Sequence, residues 1–198
     1  MKIDTQLKVW LSTTTKEFEK RSNTYLKIRD VVLQNKCKIL FDWIPEVFIA
    51  IKKNPNQVLK RDIKAIYVKI INAINDCDVC IIEYTIPNFS TSHQINYSLH
   101  CKKPTLVLIS KTEKEKQLFI SHYLYAIEDK NLVVEEYNNL EEARQIISDF
   151  VLEQKSTADL NRYNIVLDKE SRYKLNKLSS SSKKCKSQII RELILNNL

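Results

Sequence analysis

Not one of the 198 residues is glycine. Loops that let the backbone approach a phosphate closely, or that need φ > 0, depend on that residue. The absence therefore excludes the GxGxxG turn of dinucleotide-binding folds and the Walker-type phosphate loop. An ordinary dinucleotide dehydrogenase or P-loop ATPase is ruled out before any element is assigned.

Apolar runs alternate with stretches of helical spacing from the start of the chain. Lys8–Ser12 (KVWLS) reads as a short strand, Thr13–Thr15 as a polar turn in which Thr15 caps the next helix, and Lys16–Asn35 as that helix, with Phe18, Tyr25, Ile28 and Val32 at helical spacing. Cys37–Trp43 is expected as a second strand, followed by a less regular stretch with Pro45 and Pro55. Gln57–Asp76 reads as a long helix, Asp78–Glu83 (DVCIIE) as a strand, Ser92–His100 as a helix and Pro104–Ser110 (PTLVLIS) as a further strand. Leu132–Tyr137 is the last strand, with an amphipathic helix over Leu140–Leu152 behind it. Strands that read as continuous apolar runs between helices imply a parallel sheet covered on both faces. The expected fold class is α/β, a five-stranded parallel flavodoxin- or Rossmann-like sheet in the order 2-1-3-4-5. Ligands in such sheets bind beyond the C-terminal ends of the strands. Here that means the Ser12–Thr15 turn and the Tyr84–Ser92 loop.

The pattern changes after residue 153. Residues 154–160 are polar and read as a linker. Arg162–Asp168 (RYNIVLD) then alternates, with Tyr163, Ile165 and Leu167 on one face and Arg162, Asn164 and Val166 on the other. Asp168 is a good N-cap for a helix over Lys169–Leu178. Ser179–Lys184 is a polar break, and Lys186–Leu195 is a second helix. One strand and two short helices cannot bury a core alone, so a second copy must complete it. The net charge of the chain is +8, and from Asp159 onward nine bases stand against four acids, about +5 in the last forty residues. So basic an end suggests a polyanion partner.

The segment RYNIVLDKESRYKLNKL, its polar turn and KCKSQIIRELI resemble the ribbon-helix-helix repressors. That resemblance implies a module over residues 161–198 in which two chains pair their strands and lay the ribbon in the major groove of DNA. By position the base readers are Arg162, Asn164 and Val166, suited to guanine, adenine and a thymine methyl respectively. Lys183, Lys184, Lys186 and Ser187, around the start of the second helix, fall where the family holds a backbone phosphate. Three positions depart from the family: serines and lysines replace the usual inter-helix glycine, Ser171 stands at a commonly apolar position, and Cys185 occupies the usual Ser/Thr cap.

The segment DCDVCIIEYTIPNFSTSHQINYSLHCKKPTLVLIS resembles the nucleoside 2-deoxyribosyltransferase family, which includes the 2'-deoxynucleoside 5'-phosphate N-hydrolases. The resemblance implies such a domain over residues 1–153. The chemistry of that family needs a carboxylate nucleophile beneath the sugar and a second carboxylate to assist. Aligned on Pro87, the catalytic glutamate position is Gln94, and the helper aspartate falls near Ile70, with no acid between Asp62 and Asp76. The resemblance thus implies a non-catalytic relative that holds a nucleotide or nucleoside through Ser12, Thr13, Asn88, Ser90, Thr91, Ser92, His93 and Gln94 around a helix N-terminus.

These readings combine into a sequence-specific DNA-binding transcriptional regulator, a homodimer, in which the α/β domain senses a nucleotide-like ligand. The alternatives are an N-glycosidase-type or deoxyribosyltransferase enzyme with relocated acids, for which Glu83 is the candidate, and an antitoxin-like interaction protein. Cys77 and Cys80 form a lone CxxC flanking a buried strand, and they read as small buried residues rather than a metal or redox pair. His100 and His122 have no partners at metal spacing, so no metal site and no cofactor are expected. With no secretory signal and no apolar run of membrane length, a cytoplasmic protein without a membrane partner is expected.

Overall fold

The structure, a computed structural model, describes residues 6–53, 62–112, 123–161, 168–182, 189–190 and 192–193. The chain divides into two compact units, Met1–Asp159 and Leu160–Leu198.

The first unit is a five-stranded, all-parallel sheet in the order β2-β1-β3-β4-β5, as expected. Its strands are β1 (Lys8–Ser12), β2 (Lys38–Ile39), β3 (Val79–Glu83), β4 (Thr105–Ser110) and β5 (Leu132–Tyr137). Every residue of β3 and β4 is buried, which is why those strands read as unbroken apolar runs. Trp10, Ile81, Leu106 and Leu108 join Tyr25, Ile28 and Val32 in the larger core cluster, and Ile82, Val107 and Ile109 form a second with Tyr84, Ile95 and Leu124.

Helix α1 (Phe18–Gln34) starts later than expected, and Thr15 does not cap it. Glu17 holds the N-cap position in a left-handed conformation without a capping side-chain bond, and Thr14 Oγ1 accepts the Lys16 N–H instead. Helix α2 (Ile44–Lys53) replaces the expected irregular stretch. Its signals were local: Pro45 in the first turn, where no N–H is missed, with Glu46 beside it and Lys52 and Lys53 at the end. The expected strand Cys37–Trp43 shrinks to Lys38–Ile39, because Phe41 turns left-handed and Asp42 is held by the Arg29 guanidinium at 2.7 Å.

Helix α3 (Ile63–Asp76) is capped by Asp62, whose carboxylate accepts the Ala65 N–H at 3.0 Å. Residues 57–61 of the longer helix expected there lie outside the described residues. Helix α4 (Phe89–His100) begins three residues before the expected Ser92, because Asn88 caps it. Helix α5 (Leu140–Asn161) runs through the stretch read as a linker. Neither proline nor glycine interrupts it, and Asn139 Oδ1 caps its start by accepting the Glu141 and Glu142 N–H groups.

A chain without glycine still needs left-handed turns. Among the described residues Glu17, Lys36, Phe41 and Lys102 supply them, with φ between 51° and 56°. Lys36 and Lys102 occupy the glycine position of two Schellman helix ends. After α1, Lys36 N–H bonds Leu33 O and Cys37 N–H bonds Val32 O; after α4, Lys102 N–H bonds Leu99 O and Lys103 N–H bonds Ser98 O. Each satisfies carbonyls that the helix leaves open.

In the second unit α6 (Lys169–Ser182) is capped by Asp168 as expected, with the Ser171 N–H at 2.8 Å. It continues through Ser182, past the expected end at Leu178, so Ser179–Ser182, read as the start of a polar break, are helical; residues 183 and 184 of that break lie outside the described residues. Residues 189–190 and 192–193 are helical. Residues 162–167 of the expected ribbon lie outside the described residues. Among the described residues no helix is long and apolar enough to cross a membrane.

Candidate ligand-binding site at the strand ends

In a parallel sheet the C-terminal ends of the strands share one edge. There β1 delivers Ser12, Thr13 and Thr14, all buried, and β3 delivers Glu83, Tyr84 and Thr85 before the chain turns into α4. Asn88 ties the two loops together. Its side-chain Oδ1 caps α4 by accepting the Thr91 N–H at 3.0 Å, and its side-chain Nδ2 donates to Thr14 Oγ1 at 2.6 Å. Thr91 and Ser92 both donate their hydroxyls to Asn88 O, and Ser92 Oγ meets the Tyr84 hydroxyl at 2.6 Å.

Gln94 lies one turn inside α4 and is buried. Its Oε1 accepts the Trp10 indole N–H at 3.0 Å and its Nε2 donates to Ser90 Oγ at 3.1 Å. The amide is thereby held at both ends. Thr13 Oγ1 is buried and has no hydrogen-bond partner among the described residues. An unmatched buried hydroxyl costs about 1–3 kcal/mol, so it marks a place where a polar partner would be favoured. The N-terminus of α4, tied through Asn88 to the adjacent Thr14, carries partial positive charge.

The structure links Asn88, Ser90, Thr91, Ser92 and Gln94 around the start of α4 and joins to them Thr14 and Tyr84, which lie in the two loops the sequence pointed to without being singled out there as site residues; Thr13 precedes Thr14 in the β1 loop. Ser12 is buried within the β1–β3 pairing, opposite Ile82. His93 belongs elsewhere. It stacks with Phe89, Tyr97 and Tyr67 on the side of α4 next to α3, its Nε2 3.4 Å from the Tyr67 hydroxyl. Adjacent helix residues point about 100° apart, so neighbouring Gln94 in sequence does not place His93 beside the amide.

Glu83 is fully buried. Its Oε1 meets Arg21 Nη2 at 2.8 Å and accepts from the Tyr137 hydroxyl at 2.9 Å and from Thr85 Oγ1. Burial lifts its carboxyl above the ordinary value, while Arg21, Thr85 and Tyr137 pull it part of the way back. The same burial, together with the Glu83 charge, pushes the Tyr137 phenol up. Thr85 Oγ1 also accepts the Ser110 N–H, so the network fastens the ends of β3 and β4. Arg21 was legible in principle, since it is the one cation among the buried positions of α1.

The aligned position of the second acid, Ile70, is half-buried against the larger core. Asp78 accepts the Lys8 N–H at 2.8 Å, a structural bond beside the strand start. His100 is exposed in the last turn of α4. Among the described residues no three histidine, cysteine or acidic side chains gather to hold a metal. Arg162, Asn164, Val166, Lys183, Lys184, Cys185, Lys186, Ser187 and His122 lie outside the described residues.

No family model matches the sequence, and no curated protein matches it. Among solved structures the chain is similar to the CMP N-glycosidase BcmB of Clostridium botulinum, with a TM-score of 0.49, 17% identity, and coverage of 72% of this chain and 98% of that chain. The overlap is loose, and the chemistry of this site stands on the chain's own residues.

Proposed function

We propose that this protein is a DNA-binding regulator whose α/β unit holds a nucleotide or nucleoside at the strand ends without turning it over. The doubly bonded amide of Gln94 carries the non-catalytic half of this reading. An amide in the place of the aligned carboxylate neither ionises nor attacks, and Trp10 and Ser90 leave it no freedom to be recruited. The unmatched hydroxyl of Thr13, next in sequence to the Thr14 that Asn88 binds, supports a polar ligand at the strand ends. The DNA-binding half rests on the basic last forty residues and their ribbon-helix-helix pattern, with the helix cap at Asp168 in the expected place.

The test is binding of the full chain to genomic DNA fragments across a salt series, beside a triple variant with Lys183, Lys184 and Lys186 changed to alanine. Phosphate contact by each lysine lowers the salt slope by about 0.9 when it is removed. Arg162→Ala relaxes preference at one base pair by about 1–3 kcal/mol if Arg162 reads a base, and weakens all sequences alike if it touches phosphate. Absence of selective DNA binding by the full chain overturns the regulator.

The enzyme reading has one observation in its favour: Glu83 Oε2 is buried with no hydrogen-bond partner among the described residues, on a carboxyl whose pKa is raised. Release of free base from deoxynucleosides or their monophosphates, lost in Glu83→Gln, would establish it in place of the non-catalytic reading.

A further inference from the structure

Cys77 closes α3 as its C-cap, and Cys80 follows three residues later inside β3. Both are buried, at 2% and 0% exposure, and their sulfurs lie 3.6 Å apart in hydrogen-bond contact. A disulfide needs about 2.05 Å, an approach of roughly 1.5 Å from there. The two thiols are not equivalent. Lys103 Nζ donates to Cys77 O and to Asn75 O, each at 2.8 Å, which puts an ammonium beside Cys77. Donation from Cys80 lowers the Cys77 pKa, while Cys77 and burial raise that of Cys80. Cys77 Sγ donates to Ile74 O at 3.2 Å, and of the two thiols it is the one that gives up its proton more readily. Of the three other cysteines Cys185 lies outside the described residues and two serve as comparisons: Cys37 is buried, its thiol raised by burial, and Cys101 is half-buried with its sulfur 3.6 Å from Asn75 Oδ1.

We propose that Cys77 and Cys80 are a modification site: they close a reversible intrachain disulfide on contact with hydrogen peroxide, tying the end of α3 to β3. The oxidant must be small, since the pair is almost wholly covered. The Cys77 thiolate attacks one peroxide oxygen, the O–O bond breaks, and hydroxide leaves to take up the proton that Cys77 gave up. Cys77 is then a sulfenic acid. Cys80 loses its proton and its sulfur attacks Cys77 Sγ, breaking the S–O bond; the departing hydroxide takes the Cys80 proton and leaves as water. Two thiols are oxidised and one peroxide is reduced to two waters. The bond would fix the corner from which β3 runs to Glu83 and the strand-end loops. This proposal does not depend on the function proposed above, and it departs from the sequence reading of the pair as merely small buried residues because the 3.6 Å approach of the two sulfurs is visible only in the fold.

The experiment treats the full-length reduced protein with hydrogen peroxide, quenches it in acid, then denatures and alkylates with N-ethylmaleimide before peptide mass mapping. The expected result is a loss of two hydrogens confined to Cys77 and Cys80, with Cys101 and Cys37 alkylated and dithiothreitol restoring both thiols. Alkylation of Cys77 and Cys80 while Cys37 or Cys101 is oxidised overturns the proposal, as does direct passage of either to a sulfinic acid. A Cys80→Ser variant should stop at the sulfenic acid and give a dimedone adduct on Cys77. An adduct absent from Cys77 refutes its part as the attacking sulfur. The wild-type map remains decisive if that variant fails to fold.

Discussion

The indole N–H of Trp10 donates to the side-chain oxygen of Gln94 across 3.0 Å, joining the middle of β1 to the first turns of α4. Trp10 is fully buried, so this donor has no recourse to water. Gln94→Leu keeps the volume but leaves the donor unmatched and Ser90 without its partner. Stability should fall by about 1–3 kcal/mol, read as a lower denaturant midpoint at constant slope. An unchanged midpoint would mean that the bond is idle.

Thr13 offers the opposite case. Its hydroxyl is buried and unmatched among the described residues, so Thr13→Val removes a penalty rather than a bond. The free protein should unfold at a temperature equal to or above that of the wild type. If the hydroxyl serves a ligand, affinity for the nucleotide that binds best should fall by about 1 kcal/mol, several-fold in Kd, by calorimetry. A fall in stability would show that Thr13 is an ordinary structural residue.

Arg21 and Glu83 form a buried pair, and removing one member strands the other. Arg21→Met should cost about 3 kcal/mol or more at neutral pH, measured by chemical denaturation. The pH dependence has a definite sign. The folded carboxyl titrates above its unfolded value, so the native state holds that proton more firmly. Stability from this group is fully present below the ordinary carboxylate pKa and is lost as pH rises through the raised one. Glu83→Gln should flatten that decline, and Arg21→Met should carry it to higher pH. A stability profile that Glu83→Gln leaves unaltered would refute the shift.

Lys102 takes φ 56° at the C-terminal end of α4, where a Cβ is unwelcome. Lys102→Gly should raise stability by about 0.5–1 kcal/mol, because relief of the left-handed strain exceeds the added entropy of the unfolded chain. A loss would mean that the lysine stem packs more usefully than the strain costs.

By itself the sequence determined the sheet. Apolar runs such as VCIIE and TLVLIS are buried on both faces, and a strand buried on both faces leaves no polar alternation to misread. Strand order followed from the alternation of strands with helices. The helix caps at Asp168 and, in hindsight, Asn88 and Asp62 were also local facts, because a capping side chain reaches only two or three residues along its own chain. Tertiary structure alone decided the rest. Trp10 finds Gln94, Arg21 finds Glu83 and Tyr137, and Thr14 finds Asn88, pairs separated by 62 to 116 residues that no window of periodicity can join. His93 went to an aromatic row and not to the amide beside it in sequence, because which side of α4 meets α3 is set by packing across the sheet. A chain announces its core through the composition of short segments, but its polar contacts are settled only when distant segments meet and each buried donor takes the acceptor within reach.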